Sequence, residues 1–237
     1  METTAPRRYR YYDLLLAAFV VALLCSNLIG AGKAAIVHLP LLGDVTFGAG
    51  VLFFPISYLF GDILTEVYGY AHDRRAVWAG FAALVFAAVM SLVVIGLPPA
   101  PGDYMDGYQK GLETVFGNTW RIVLASIIAF WAGSLVNAYV MARMKLLTQG
   151  RLLWTRTIGS TAVGELFDSS IFYVTAFYGI WPAEQVLSVA IAQYFLKTGW
   201  EVLMTPVTYR VVGWLKRKEA EDYFDVGTNF TPFKLSV

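Results

Sequence analysis

The chain has 237 residues, of which 57% are hydrophobic and only 15% are charged. A soluble domain carries roughly 25% charged residues, so this composition excludes an ordinary water-soluble globule and favours a lipid environment. The net charge of +1 provides no basic field for nucleic acid, and the single cysteine, Cys25, excludes an internal disulfide framework.

The N-terminal segment combines a basic flank with a long apolar run. Arg7, Arg8 and Arg10 precede residues 12–29, which are almost entirely apolar. The core of a signal peptide has roughly 7–15 residues and ends at a small-residue cleavage site, and this run is longer and lacks such a site. We interpret it as a first membrane span.

Five further segments are apolar enough to cross a bilayer, which takes roughly 17–25 residues. We therefore predict an all-α polytopic membrane protein with six transmembrane helices in a single membrane domain, residues 1–237. The predicted spans are 12–29, 47–68, 76–97, 120–141, 157–178 and 185–214, with a cytoplasmic tail at 215–237. Residues 98–119 contain several glycines and prolines and are interpreted as a partly ordered surface connection.

The distribution of basic residues predicts the orientation. With six spans, most Lys and Arg residues fall on the side of the two chain ends, whereas Lys33, Lys110 and Arg121 fall on the other side. Basic residues are concentrated in short cytoplasmic loops of membrane proteins. We predict a multi-pass protein of the inner (plasma) membrane with both termini in the cytoplasm.

Ionisable residues within the predicted spans are the strongest functional signal. Each costs about 2.5–3.5 kcal/mol at the centre of a membrane helix, so such groups face a partner or a cavity and usually mark function. Their spacing of three or four residues places each set on one helical face. The residues are Asp62 with Glu66, Glu165 with Asp168, and Gln193 with Lys197 and Glu201.

Two interpretations of these charges stay open for any single residue. Lys197 can neutralise one or two acids as a buried pair that holds the helices in register. The acids outnumber this lysine, however, and the surplus favours a shared polar pocket, open to water, for a planar polar molecule. Asn27 lies just before a glycine-rich segment, and Phe54 and Tyr58 offer rings that stack on a flat ligand.

The sequence offers little for catalysis. The two histidines, His38 and His72, fall in predicted loops on opposite sides of the membrane, which leaves neither a Ser–His dyad in the membrane nor a metal-binding cluster. The GAGK segment at 30–33 is not a phosphate loop, because Asn27 and Ala34 stand where that motif needs Gly and Ser or Thr. We expect no enzyme activity, no cofactor and no metal.

Several motifs together resemble one family. They are SNLIGAGKA (26–34), FPISYLFGDILTEVYGYAHDRRAVWAGF (54–81), GELFDSSIFYVTAFYG (164–179), QYFLKTGWEVLMTPVTY (193–209) and YFDVGTNFTPF (223–233). In these motifs the chain resembles the queuosine precursor transporter family, also called the vitamin uptake transporter family.

The resemblance implies an importer of 7-deazaguanine bases for tRNA modification: 7-cyano-7-deazaguanine, 7-aminomethyl-7-deazaguanine or queuine. It also implies a fold similar to the substrate-binding subunits of energy-coupling-factor transporters. The motif positions of the family fall on Asn27, Asp62, Asp168 and Lys197. Together with the residues identified above from spacing, charge and stacking, the predicted substrate-binding residues are Asn27, Phe54, Tyr58, Asp62, Glu66, Glu165, Asp168, Gln193, Lys197 and Glu201.

Alternatives from other classes stay open at this point. The chain can be a transporter for another planar nutrient, such as a nucleobase or a vitamin, or a substrate-binding subunit that needs an energy-coupling partner. A membrane enzyme is disfavoured by the missing catalytic groups. Small residues at every fourth position, such as Ala79, Ala83 and Ala87, favour close helix packing within the bundle and leave a homodimer open.

Overall fold

The computed structural model is a bundle of helices with one short β-hairpin. It describes residues 9–30, 34–39, 43–117, 120–180 and 182–234. Within these residues the helices are α1 (Tyr12–Cys25), α2 (Phe54–Tyr68), α3 (Tyr70–Ile95), α4 (Asp103–Phe116), α5 (Trp120–Leu147), α6 (Leu153–Phe177) and α7 (Ala183–Glu219). Strands β1 (Ala34–Leu39) and β2 (Gly43–Gly48) pair antiparallel.

The apolar helices agree with a membrane protein. In the described part of the chain, three helical segments are long and apolar enough to cross a bilayer: Tyr12–Ile29, Tyr70–Ile95 and Arg121–Leu147. On α3 the outer surface exposes a run of large apolar side chains that includes Phe86 and Leu92, at 68% and 61%. Continuous apolar surface of this kind is typical of contact with lipid. Helices α2, α6 and α7 overlap the other three predicted spans, and the total of six spans stays a prediction.

Several boundaries differ from the predicted ones. Helix α2 begins at Phe54 instead of residue 47, because β2 and a short helical turn at Ala49–Leu52 occupy the preceding residues. Pro55 in the first turn of α2 suits a helix start, where no backbone N–H is needed. The segment 98–119, predicted as a connection, contains α4.

Helix α3 begins earlier than predicted, at Tyr70 instead of residue 76. Only Gly69 separates it from α2, with a φ of 87° that a glycine tolerates best. A Cβ at Gly69 would also clash with the ring of Tyr223. The early start brings His72, predicted in a loop, and Asp73 into the first turns of α3.

Helix α2 is the centre of the bundle. It packs against α1, α3, α5 and α7, and every residue from 61 to 70 is buried. A helix buried on all sides has no polar face toward solvent. Both of its acidic residues, Asp62 and Glu66, therefore lie inside the protein, each at 0% exposure.

The C-terminal segment 220–234 folds back onto α3 and α5 instead of leaving the bundle. Asp225 accepts hydrogen bonds from the backbone N–H of Tyr70 at 3.1 and 3.2 Å, and burial raises the pKa of its carboxyl above the ordinary value. Further along, Trp78 Nε1 donates to the carbonyl of Pro232 at 2.7 Å. The ring of Phe233 lies 5.8 Å from that of Trp131. The segment is thus an ordered part of the fold.

Candidate functional site

Three of the predicted charges meet between α6 and α7. Lys197 Nζ donates a hydrogen bond to Asp168 Oδ2 at 2.7 Å and forms an ion pair with Glu165 Oε2 at 2.9 Å. The two acids are three residues apart on α6 and so share the face that meets α7. Glu165 is 0% exposed and Asp168 5% exposed. One ammonium group therefore serves two buried carboxyl groups.

Tyr58 of the central helix α2 lies beside these three charged residues. Its hydroxyl lies near Gly133 of α5, where an added Cβ would be 3.0 Å from Tyr58 Oη and 2.8 Å from Asp168 Cβ. The hydroxyl also interacts electrostatically with Glu165 and Asp168. We call Tyr58, Glu165, Asp168 and Lys197 the lysine cluster; it draws on α2, α6 and α7, with α5 packed beside it.

The close approach at Gly133 gives a direct test of this geometry. A Cβ there would also lie 3.1 Å from the Gly164 carbonyl oxygen, so Gly133→Ala should overpack the α5–α6 crossing. We expect a loss of about 1–3 kcal/mol in the free energy of unfolding, measured as a lower apparent Tm in detergent. In contrast, Gly199 on α7 has nothing within 4 Å of an added Cβ. Gly199→Ala should therefore be neutral or slightly stabilising, and equal Tm losses for both variants would contradict the packing described.

Two further predicted acids lie close by without a cation. Asp62 Oδ1 accepts a hydrogen bond from Asn137 Nδ2 at 2.8 Å, and Asp62 interacts electrostatically with Glu201. Asp62 Oδ2 and both carboxyl oxygens of Glu201 have no hydrogen-bond partner among the described residues. We call Asp62 and Glu201 the acid pair. Burying an unpaired carboxylate is costly, so these groups need a proton or a cationic or hydrogen-bonding ligand.

The other predicted binding residues fall into different settings. Asn27 lies in a wide helical turn, Ser26–Gly30, that extends α1; its Nδ2 donates to the Leu23 carbonyl, and its Oδ1 accepts from Ser126 at 2.8 Å. Gln193 is half-buried on α7, one turn from Lys197. The side chain of Phe54 lies outside the described residues.

Glu66 belongs to a separate cluster, at the end of the bundle where α5 ends and α6 begins. Arg156 donates to both of its carboxyl oxygens, with Nε to Oε2 and Nη2 to Oε1 at 2.7 Å each. Lys216 donates to Oε1 at 2.5 Å, and Lys145 Nζ lies 3.5 Å from Oε1 and 2.6 Å from Asp222. Glu66, Lys145, Arg156, Lys216 and Asp222 form what we call the basic-end cluster.

Asp222 is the outer member of the basic-end cluster. Burial works to raise its pKa, but hydrogen bonds and charge from Lys145 and Lys216 outweigh that effect and lower the pKa below the ordinary value. Its carboxylate therefore stays charged and ties the C-terminal segment to α5 and α7. Sequence spacing does not predict this cluster, because residues 145, 156 and 216 lie near helix ends, where charged side chains are usually solvated.

Ionisable groups buried in mid-helix mark functional sites in membrane proteins, and transporters are one class that uses them. Residues 48–211 match the family described as "putative vitamin uptake transporter". The chain belongs to the vitamin uptake transporter family.

Three curated relatives are similar to this chain. It is 37% identical to the probable queuosine precursor transporter of Bacillus subtilis, over 71% of this chain and 69% of that protein. It is 28% identical to the queuosine precursor transporter of Escherichia coli, over 62% of this chain and 64% of that protein. For the probable queuosine precursor transporter of Haemophilus influenzae the identity is 25%, over 54% and 51%. No solved structure matches the chain.

Proposed function

We propose that this chain imports queuosine precursors, the 7-deazaguanine bases, across the plasma membrane without converting them chemically. The observation that supports this most directly is the lysine cluster, in which one lysine holds two buried carboxyl groups inside a member of an uptake family. The names of the relatives in Bacillus subtilis and Escherichia coli point to the same class of substrate.

The chemistry of the lysine cluster suits such a base. A guanine-like edge presents a ring N–H beside an amino group, and a carboxylate accepts both donors in a bidentate manner. The ammonium group of Lys197 lies 2.7 Å from Asp168 and 2.9 Å from Glu165. A base can therefore replace the lysine at Asp168 while Lys197 stays paired with Glu165, and no buried carboxylate loses its partner.

The remaining predicted residues complete the proposed site. The acid pair lies on the neighbouring part of α2 and α7 and provides further acceptors, while Asn27, Gln193 and the ring of Phe54 are proposed to contact the base. Glu66 is held by three cations in the basic-end cluster. We therefore assign it a structural role instead of substrate contact.

The proposed arrangement in the membrane has six spans: α1, α2, α3, α5, α6 and α7. The basic-end cluster and both termini face the cytoplasm, as expected for a side rich in Lys and Arg. We propose that the fold is similar to that of the substrate-binding subunits of energy-coupling-factor transporters. The cavity on the other side of Tyr58 has room for about one water molecule, and neither Asp168 nor Lys197 lines it. We propose that helices separate at the lysine cluster to admit a base.

A bacterial strain that lacks its own synthesis of queuosine precursors tests this function. Cells expressing this chain receive each deazaguanine base in turn at low concentration, and queuosine in tRNA is measured. We expect queuosine to appear with at least one base, to be lost in Asp168→Asn, and to be kept in Asp106→Asn, which changes an exposed acid on α4. Absence of queuosine with every base, at normal protein levels, would overturn the proposal.

Two further measurements separate the alternatives. Competition of labelled base uptake by other nucleobases and by vitamins distinguishes a deazaguanine carrier from a carrier of other planar nutrients. Uptake by the purified protein alone in liposomes would exclude the need for an energy-coupling partner.

A further inference from the structure

A small cavity lies between α1, α2, α3 and α5, on the side of the central helix that faces α3. Its volume leaves room for about one water molecule. Phe19, Gly61 and Val77 also line it, and the polar residues that line it are Ser57, Tyr58, Asp73, Ser134 and Asn137. Neither the lysine cluster nor the acid pair includes Asp73 or Ser134.

Asp73 is a buried carboxyl group that faces this cavity. It is 1% exposed, and its Oδ1 has no hydrogen-bond partner among the described residues. The next residue, Arg74, directs its Nη1 away, to the carbonyls of Asn229 and Thr231 at 2.8 Å each. Gly61 opposite leaves space, since a Cβ there would lie 3.7 Å from Asp73 Oδ1. If the carboxyl group of Asp73 is charged, it needs a small cationic partner; otherwise it carries a proton.

The other polar residues around the cavity provide oxygen atoms that can coordinate a cation. Asn137 donates a hydrogen bond from Nδ2 to Asp62. The Oδ1 atom of Asn137 has no hydrogen-bond partner among the described residues. Ser57 and Ser134 add hydroxyl oxygens. Hard cations bind such oxygen ligands, but Ca²⁺ takes six to eight of them, and Mg²⁺ keeps several waters that this space does not hold. One carboxylate, one amide oxygen and hydroxyls in a space of this size fit a dehydrated monovalent ion.

We propose that this cavity is a sodium-binding site, with Asp73 as the charged ligand and Asn137, Ser57 and Ser134 as neutral ones. The site is connected to the acid pair and to the lysine cluster through two residues. Asn137 donates to Asp62 of the acid pair. Tyr58 lines the cavity, and its hydroxyl interacts electrostatically with Asp168. Sodium binding therefore orders Asn137 and Tyr58 and couples to base binding. This coupling rests on the proposed function, whereas sodium binding itself does not.

Thermal unfolding of the purified protein without substrate tests the binding. The apparent Tm is measured in NaCl and in KCl at equal ionic strength. A ligand that binds only the folded state stabilises it by mass action, and we expect a saturable rise of about 3–6 °C in sodium. Asp73→Asn and Ser134→Ala should remove this rise, while Asp106→Asn should keep it.

Direct binding of radioactive sodium to the wild-type protein provides the second measurement and does not depend on the folding of any variant. Competition by excess unlabelled sodium, but not by potassium, is expected. Equal Tm values in both salts between pH 6 and pH 8, with no sodium bound, would overturn the proposal and leave a proton or a water molecule as the occupant. Loss of base uptake in cells would leave this result unchanged, so the two proposals fail separately.

Transport in liposomes tests the coupling. Replacing external sodium by potassium should raise the apparent KM for base about tenfold or more, a change typical of linked binding sites. An unchanged KM in a protein that binds sodium would refute the link between the two sites.

Discussion

Lys197→Met is expected to reduce base uptake at least about 100-fold. The substitution leaves Glu165 and Asp168 on one face of α6 without the ammonium group that lies within 3 Å of both. A hydrogen bond to a charged group contributes about 1.5–3 kcal/mol, and a buried acid that loses its partner costs more. The two carboxyl groups would share a proton or repel each other, and Asp168 would no longer be a preorganised acceptor for the base.

Uptake of labelled base into cells measures this effect, with protein levels followed by immunoblot. Lys110→Met, at an exposed position of α4, is the matched control and should transport normally. The double variant Asp168→Asn/Lys197→Met restores the original net charge of the cluster. It should recover thermal stability but not uptake, because the acceptor is gone. Uptake at the wild-type rate by Lys197→Met would remove this lysine from the site.

Arg156→Met is expected to lower the free energy of unfolding by about 3–5 kcal/mol, the cost of breaking a buried ion pair by removing one partner. Arg156 is 0% exposed and donates to both oxygens of Glu66 at 2.7 Å. It also donates to the Arg151 carbonyl at 2.6 Å. Lysine cannot reproduce this forked geometry, so Arg156→Lys should lose much of the same stability.

Thermal unfolding in detergent measures this loss. Arg151→Met is the control, since the side chain of Arg151 is exposed in the same turn and should matter by no more than about 0.5 kcal/mol. The double variant Glu66→Gln/Arg156→Met should lose less than the sum of the single losses, because the two residues form one pair. Equal Tm values for Arg156→Met and Arg151→Met would contradict the cluster.

Helical spacing predicted only part of the lysine cluster, and the pairing of Lys197 with one or two acids was one of two interpretations left open. Glu165 and Asp168 are three residues apart and share one face of α6. Lys197 lies in the next predicted span along the chain. Helical spacing did not predict that Asp62 and Glu66 belong to different clusters. Spacing by four places them on one face, but α2 is buried on every side, so neighbouring helices decide which partner each acid meets.

Long-range contacts account for most of what the sequence did not reveal. Arg156 and Lys216 lie near helix ends, where solvation is the usual expectation, yet both meet Glu66. Asp73 was placed in a loop, because the connection between α2 and α3 was expected to be longer than the single residue Gly69. The second strand of the hairpin has a local signal, because Gly43 and Gly48 bound a short segment with Val45 and Thr46, but residues 47–48 were assigned to the start of the second predicted span.

The position of the C-terminal segment limits where a tag can be attached to this protein. Its contacts with α3 are made largely through main-chain carbonyls, which Arg74 and Trp78 bind at 2.7–2.8 Å. Such contacts depend on where the chain runs more than on which residues it contains. A purification tag or fluorescent reporter joined close behind Phe233 would therefore strain this docking at Trp131. Attachment through a long flexible linker should avoid this strain.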